Sequence, residues 1–598
     1  MKSAQATSLC APQIRCDGGK PDRRNQPNIV EKGQPRLKLA EHLYNELHQR
    51  GVDHAFGIPG DFALSLWAAL EQSPLQGIVL AHEPAVGFAA DAYARMRGMG
   101  LAIVTYGVGG LNMVNPTAEA YAEKSPLVIV SGSPGIRERH NNPLLHHKVK
   151  TFDSQRKVYE EVTRGAFLLD NPLTAARVIQ EALQLVEDYK QPVYLEVPRD
   201  LVFADIMPSP VEREPRTIDR GALLEAVSET VGMIINSDRP AILGCVEMHR
   251  FGLQSELREL AERTGIPIAA TMLGKGVFPE DHPLYMGIYV GGASGEELRQ
   301  YIEGSDCLLM LGTYLSDFNM GIFTHHLEPR NAVHATSENI RVKYHVYHDV
   351  PLQDFMRELL RSPRLGRRTF AFPGQGPSGG EKSEVRRQEA EENGAPSSIE
   401  PSTLENVPVS MQAIVDELNR FIRPEHLIVT DVGDCLFAGL DVHTRHAMGF
   451  LSPAYYLSMG FGIPGAIGAQ IADPNARPIL LIGDGAFQMM GMELLSARRY
   501  HLNPIILLLN NASYATLRFM NPESQYTDIP TTNYADLARV LGGQGFSVNT
   551  VQDLRDALAK SQEAKDVCLL DIHLSPDDTS QVLQNLAAAN RKRIGVAG

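Results

Sequence analysis

From Leu37 onward the chain alternates stretches of helical period with short, uninterrupted apolar runs. Residues 39–50 carry apolar side chains at helical spacing, and Ala55-Phe56-Gly57, Ile78-Val79-Leu80, Leu101-Ala102-Ile103-Val104 and Leu127-Val128-Ile129-Val130 follow as continuous apolar runs. Parallel strands buried on both faces have this appearance, and their alternation with helices predicts βαβ units. A further run, Pro192-Val193-Tyr194-Leu195-Glu196-Val197, closes the first series before Pro198, and a Pro/Glu/Arg-rich link lies near 207–217. A second series has strands at Ala241-Ile242-Leu243-Gly244, Ile268-Ala269-Ala270 and Cys307-Leu308-Leu309-Met310-Leu311 and ends near Pro351. A third carries apolar runs at 478–482 and 504–509. Residues 366–408, rich in Pro, Gly, Ser, Glu and Arg, bury too little apolar surface to offset the entropy of ordering them, and are expected to be a linker. The pattern predicts an α/β protein of three doubly wound parallel-sheet domains, over 37–206, 218–365 and 409–598, behind a disordered tail at 1–36.

Composition narrows the classes of function. A chain of 598 residues is too long for one core. Its 43% hydrophobic and 21% charged residues are ordinary for a soluble globular protein. A net charge of −15 argues against nucleic acid or an anionic membrane as partner, since both select basic surfaces. The six cysteines, Cys10, Cys16, Cys245, Cys307, Cys435 and Cys568, are scattered without Cys-x-x-Cys spacing, which points to a reducing compartment and away from structural zinc. The first 36 residues lack the apolar core of a signal peptide, and Asp17, Asp22 and Glu31 weaken a transit-peptide reading. No stretch approaches 18 uncharged apolar residues, so the expected location is the cytoplasm.

The chemistry concentrates where predicted strands end. The run at 478–482 leads into Gly483-Asp484-Gly485, and the run at 504–509 into Asn510-Asn511. In open α/β sheets, ligands bind at the carboxyl ends of strands, so both runs deliver oxygen ligands to one sheet edge. Magnesium takes near-octahedral oxygen coordination from one or two protein groups plus phosphate, so Asp484, Asn511 and the Ser513 carbonyl are a candidate clamp for a diphosphate. Gly483 and Gly485 let the backbone approach it. A Gly-Asp-Gly turn is by itself often only a turn; the paired asparagines, with Asn511 following Asp484 by 27 residues, make the combination specific. Upstream, the segment His82 through Arg95 (His-Glu-Pro-Ala-Val-Gly-Phe-Ala-Ala-Asp-Ala-Tyr-Ala-Arg) follows a strand and opens a helix whose positive end Glu83 complements.

Together these motifs resemble the thiamin diphosphate enzymes, in their pyruvate decarboxylase branch, and are most similar to bacterial phenylpyruvate and indolepyruvate decarboxylases. The resemblance is carried by Phe56-Gly57-Ile58-Pro59-Gly60-Asp61-Phe62, the segment from His82 to Arg95, Ala122-Glu123-Lys124-Ser125-Pro126, Leu145-His146-His147, Asp431-Val432-Gly433-Asp434-Cys435-Leu436-Phe437, the Gly483-Asp484-Gly485 turn and Asn510-Asn511-Ala512-Ser513-Tyr514. It spans about residues 37 to 580 outside the linker. It implies a pyrimidine-binding first domain, a diphosphate-binding third domain, and thiamin diphosphate with Mg2+ as cofactors. Glu83 then stands at N1′ of the aminopyrimidine, and Asp61, His146 and His147 relay protons around the carbon left after carbon dioxide departs, a task suited to histidine. The trio separates this branch from acetohydroxyacid synthases. Met459 becomes the bulky support of the bent cofactor, the Leu457 carbonyl accepts from the 4′-amino group, and Gly433, Asp434, Gly483, Asp484, Gly485, Ala486, Asn511, Ser513 and Tyr514 line the rest of the cofactor site.

One position departs from the pattern. Pyruvate decarboxylases carry an acid three residues after the tyrosine of this segment, whereas the chain reads Tyr514-Ala515-Thr516-Leu517-Arg518. A leucine cannot transfer a proton, and it adds apolar volume beside the reacting carbon, which favours an aryl side chain by roughly 25 cal/mol per Å² buried. The expected activity is therefore non-oxidative decarboxylation of aromatic or bulky 2-oxo acids such as phenylpyruvate and indolepyruvate. The expected assembly is a homodimer or homotetramer with sites between subunits. The alternatives are a carboligase, in which weakened proton delivery leaves time for attack on a second carbonyl, and a catalytically silent family member. A flavin in the middle domain rests on fold analogy alone.

Overall fold

The computed structural model describes residues 37–207, 216–373 and 407–594. It comprises three α/β domains, each built on one sheet. In the first, six parallel strands run in the order Gln76–Val79, His54–Gly57, Gly100–Val104, Leu127–Ser133, Val193–Pro198, Gly165–Leu168. Every residue of Gly100–Val104, Leu127–Ser133 and Val193–Pro198 is buried, as helices on both faces of a parallel sheet require. The third domain is likewise all parallel, in the order Phe450–Leu451, His426–Thr430, Arg477–Gly483, Ile505–Asn510, Cys568–His573, Gln544–Val548.

The central sheet differs at one edge. Tyr285–Tyr289, Ile268–Thr271, Pro240–Gly244, Cys307–Leu311 and Ala332–Ala335 are parallel, but Ile340–Val342 and His345–Tyr347 continue the sheet antiparallel. Strands of three residues need no crossover helix when hairpin-linked, so the chain extends this sheet at little cost in length. Packing of the central domain also runs past residue 366: Arg368 N–H bonds the Thr264 carbonyl at 2.9 Å, and Phe370 and Phe372 are buried. At the other end, Val407 already pairs with the third domain, accepting from Val551 N–H at 3.0 Å. The remainder of the expected linker, the tail at 1–36 and most of the 207–217 link lie outside the described residues.

The first and third domains meet through two helices of small residues, Glu83–Arg97 and Gly462–Ala472. Their backbones touch: a β-carbon on Gly468 would lie 2.0 Å from the Ala89 carbonyl oxygen, so only glycine fits there. Phe88 and Phe461 close the contact edge to face at 6.0 Å. This packing fixes Glu83, at the first turn of one helix, relative to the Leu457-to-Phe461 segment that enters the other. Among the described residues no helix is long and apolar enough to cross a membrane.

Candidate functional site

Two groups of chemistry-bearing residues form, each at the carboxyl edge of a sheet. On the third domain, Arg477–Gly483 ends at Asp484, Ile505–Asn510 at Asn511, and His426–Thr430 at the segment leading to Gly433. These ends surround a cavity of about 220 Å³ lined by Gly433, Asp434, Leu457, Met459, Gly483, Asp484, Gly485, Ala486, Asn511, Ser513, Tyr514 and Leu517. Every third-domain residue singled out from the sequence therefore borders one space. Phe318 of the central domain and Phe437 add a stacked pair to its wall, 6.3 Å between centroids.

The donor set suits a hard cation. Asp484 Oδ1 accepts from Gly485 N–H at 2.9 Å, whereas Asp484 Oδ2 is buried without a partner. Burial pushes the carboxyl up to about 6, against the backbone N–H groups of Gly485 and Ala512, which lower it. A buried carboxylate oxygen with no donor is costly, and a cation bound there relieves that cost. Asn511 Oδ1 accepts from Ser513 N–H at 3.1 Å, closing the 511–513 turn on the cavity wall, where both residues line the space with Asp484.

Asp434 lines the cavity, and both its carboxylate oxygens bond Ser580, Oδ2 to the backbone N–H at 2.9 Å and Oδ1 to the hydroxyl, which ties the residue before the Gln581–Ile594 helix to the cavity wall.

The segment carrying Leu457 and Met459 is gripped on both sides by buried carboxylates, Glu123 and Asp431, which belong to the motifs carrying the resemblance but had no role assigned from the sequence. Glu123, from the first domain, accepts from Tyr455 N–H at 2.8 Å and Tyr456 N–H at 3.0 Å. Arg95 pairs with Glu123 at 2.9 Å and with Asp91 at 2.6 Å, and donates to the Ser452 carbonyl at 3.0 Å. Downstream, Asp431 accepts from Gly460 N–H at 3.1 Å and Gly462 N–H at 2.7 Å, and burial pushes its carboxyl up to about 6. Between these clamps Leu457 holds φ +61°, a left-handed conformation that a leucine adopts only when its surroundings impose it.

The second group belongs to the first domain. Glu83 opens the Glu83–Arg97 helix and Oε2 accepts from Asn112 Nδ2 at 3.0 Å. Asp61 does not cap the following helix, which starts at Leu64; its Oδ2 meets His146 Nε2 at 2.5 Å, and Oδ1 accepts from the Thr105 hydroxyl at 3.3 Å. The His147 ring stands edge-on to His146, 4.8 Å between centroids, and the donor atoms of Asp61, His146 and His147 lie within 4.8 Å of one another. His147 adopts φ +66°, which lets adjacent residues bring both rings to one carboxylate. Burial raises the Asp61 carboxyl, but the His146 hydrogen bond, the Phe62 N–H and the two imidazoles outweigh it and hold the group below its ordinary value. A β-carbon on Gly109 would lie 3.4 Å from Glu83 Oε1 and 3.1 Å from Thr105 Cγ2, so Glu83 and the trio border the same loop. None of Glu83, Asp61, His146 and His147 lines the Asp484 cavity of its own chain.

Leu517 stands on the cavity wall with 56% of its surface exposed, which excludes core packing as its role within the chain. Beside the strand ends of Pro240–Gly244 and Ile268–Thr271, where the three domains meet, Arg95, His249, Arg250, Met272 and Lys275 line a gap of about 20 Å³.

Known proteins of three descriptions match the chain. Residues 37–157 match "Thiamine pyrophosphate enzyme, N-terminal TPP binding domain", 227–362 the central domain and 431–572 the C-terminal TPP binding domain of the same enzymes. The chain is 38% identical over 528 residues to an indole-3-pyruvate decarboxylase of Azospirillum brasilense, covering 88% of this chain and 93% of that protein. It is 27% identical over 586 residues to a probable pyruvate decarboxylase of Schizosaccharomyces pombe, covering 95% and 99%. With pyruvate decarboxylase isozyme 3 of Saccharomyces cerevisiae the identity is 28% over 582 residues, covering 93% and 100%.

Proposed function

The chain belongs to the thiamine pyrophosphate enzyme family and is a thiamin diphosphate-dependent 2-oxo acid decarboxylase, and on that premise we propose that its substrates carry aromatic or bulky side chains, phenylpyruvate and indolepyruvate among them. The observation that carries this reading is Leu517, an apolar side chain on the wall of the cofactor cavity at the position where pyruvate decarboxylases place an acid. Phe318 and Phe437 extend that apolar wall. The Azospirillum brasilense relative, named for indole-3-pyruvate, supports the same class.

When bound, thiamin diphosphate supplies the carbanion that adds to the 2-oxo carbonyl and the electron sink that accepts the pair left by carbon dioxide. Asp484, Asn511 and the Ser513 carbonyl would hold Mg2+ with the diphosphate. Met459 and the Leu457 carbonyl would support the aminopyrimidine, and Glu83 would hold the proton exchanged with its ring nitrogen. Asp61, His146 and His147 then deliver and remove the protons that product formation requires. That Glu83 and the trio do not line the cavity of their own chain supports a complete site formed between two copies, with a homodimer as the least assembly and a homotetramer as its doubling. The four described cysteines, Cys245, Cys307, Cys435 and Cys568, are free and buried, in keeping with a cytoplasmic enzyme.

The test is to incubate the protein with Mg2+, thiamin diphosphate and phenylpyruvate or indolepyruvate, with and without pyruvate, and to identify products by mass. Free arylacetaldehyde and carbon dioxide are expected. A coupled hydroxyketone as main product would favour the carboligase, to which the missing acid at 517 also points, and no carbon dioxide from any 2-oxo acid would overturn the reading. Leu517→Glu is expected to shift the kcat/KM ratio of pyruvate to phenylpyruvate upward by about tenfold or more. An unchanged ratio in steady-state assays would show that Leu517 does not face the substrate.

A further inference from the structure

Among the described side chains lining the cofactor cavity, two oxygen atoms are buried with no hydrogen-bond partner, Asp484 Oδ2 and Thr516 Oγ1. The cation proposed above accounts for the first. No group among the described residues accounts for the second, although an unpaired buried hydroxyl carries a standing penalty. Other buried helical threonines of this fold avoid it by bonding back four residues: Thr117 to the Met113 carbonyl at 2.8 Å, Thr230 to Ala226 at 2.8 Å, Thr264 to Leu260 at 2.6 Å. Thr516 has no such recourse. Its helix, Ala515–Met520, begins one residue earlier, and the Ala512 carbonyl is taken by Ile529 N–H at 2.9 Å.

The position of the hydroxyl is specific. Thr516 Oγ1 lies 3.8 Å from where a β-carbon on Gly433 would stand, so it sits beside the Gly433 turn that borders the cavity. Leu517, next in the chain, is more than half exposed and cannot make a polar contact. A 2-oxo acid entering this cavity must set its carboxylate and carbonyl oxygens, the polar end common to all such substrates, against a lining that includes the apolar side chains of Leu436, Phe437, Ala515 and Leu517 as well as Tyr514.

We propose that Thr516 donates a hydrogen bond from Oγ1 to an oxygen of the 2-oxo carboxylate end of the substrate, restoring at 516 a polar contact that position 517 lacks. The inference rests on this cavity being the decarboxylase site. A threonine hydroxyl does not ionise near neutral pH, so it orients the substrate by donating, and its proton stays on Oγ1 throughout. No bond other than the hydrogen bond forms or breaks at this residue.

Thr516→Val, nearly isosteric, and Thr516→Ser, which keeps the hydroxyl, separate this role from packing; Thr516→Ala against Thr516→Ser repeats the comparison without a branched chain. With pyruvate, phenylpyruvate and indolepyruvate as substrates, kcat/KM of Thr516→Val is expected to fall by about tenfold to hundredfold, by a similar factor for each. Thr516→Ser is expected to regain most of the loss, and calorimetric affinity for thiamin diphosphate with Mg2+ should stay unchanged. Unchanged kcat/KM overturns the proposal. So does a loss confined to one side chain, which would assign the hydroxyl to the aryl group, or a loss of cofactor affinity, which would assign it to the cofactor. A wild-type protein that releases carbon dioxide from no 2-oxo acid sinks the premise instead, and this is visible before any variant is made.

Discussion

Glu83→Gln is expected to lower kcat by about 10²–10⁴-fold while leaving the affinity for thiamin diphosphate and Mg2+ within a few-fold of wild type. Glutamine keeps the shape of the side chain and an oxygen acceptor for Asn112 Nδ2, which bonds Glu83 Oε2 at 3.0 Å, so the local fold survives. What it loses is the ability to hold a proton at N1′ and return it. The carboxylate also sits in the first turn of the Glu83–Arg97 helix, where negative charge stabilises by about 0.3–1 kcal/mol. That term costs at most a few degrees in thermal midpoint for a chain of this size. Catalysis and stability are therefore separable: steady-state rates should collapse while the melting transition barely moves. A variant that turns over within a few-fold of wild type would remove Glu83 from this role.

The parts of the site that could be read in the sequence are those where the backbone itself announces a position. Arg477–Gly483 and Ile505–Asn510 are continuous apolar runs that stop at Asp484 and Asn511, so strand period and strand end coincide with a change in chemistry. His146, His147 and Asp61 were legible only through the family resemblance, and the structure brings their ring and carboxylate atoms together, with Asp61 and His146 lying 85 positions apart. Glu123, Asp431 and Ser580 gave no comparable signal. Glu123 grips Tyr455 N–H across 332 residues, and nothing in a Glu between Ala122 and Lys124 announces a buried acceptor on another domain. The same limit applied to the bonds from Asp434 to Ser580, which join residues 146 positions apart. Short strands escaped for a different reason. Gly165–Leu168 is half-buried along its whole length, and Ile340–Val342 and His345–Tyr347 have three residues each, too few for period to distinguish strand from turn. Sequence also assigned Glu83 and Asp484 to different domains but contained nothing on whether one chain's fold brings them together, which depends on how the small-residue helices of the two domains meet.

Asp484→Asn is expected to weaken loading of thiamin diphosphate with Mg2+ by at least about 100-fold, since replacing even the partners of metal ligands costs 10–100-fold. The unpartnered Oδ2 is the strongest unsatisfied acceptor on the cavity wall, and an amide there either presents N–H donors toward the cation or leaves it without the negative charge. Calorimetric titration should show the loss, and the rise in thermal midpoint that cofactor gives the wild type should vanish. Combined with Glu83→Gln, this variant decides where the site is completed. Each variant alone is expected to be nearly inactive. If Glu83 of one copy serves the Asp484 cavity of another, a mixed dimer of the two variants contains one site with both residues intact. Random pairing makes about half the dimers mixed, each with one good site of two, so a co-expressed mixture should recover about a quarter of wild-type activity. If the site instead closes within a single chain, every chain in the mixture carries one lesion and activity stays near zero. The geometry favours recovery, because Asp484 and its ligands enclose their cavity without any contribution from Glu83, Asp61, His146 or His147 of the same chain.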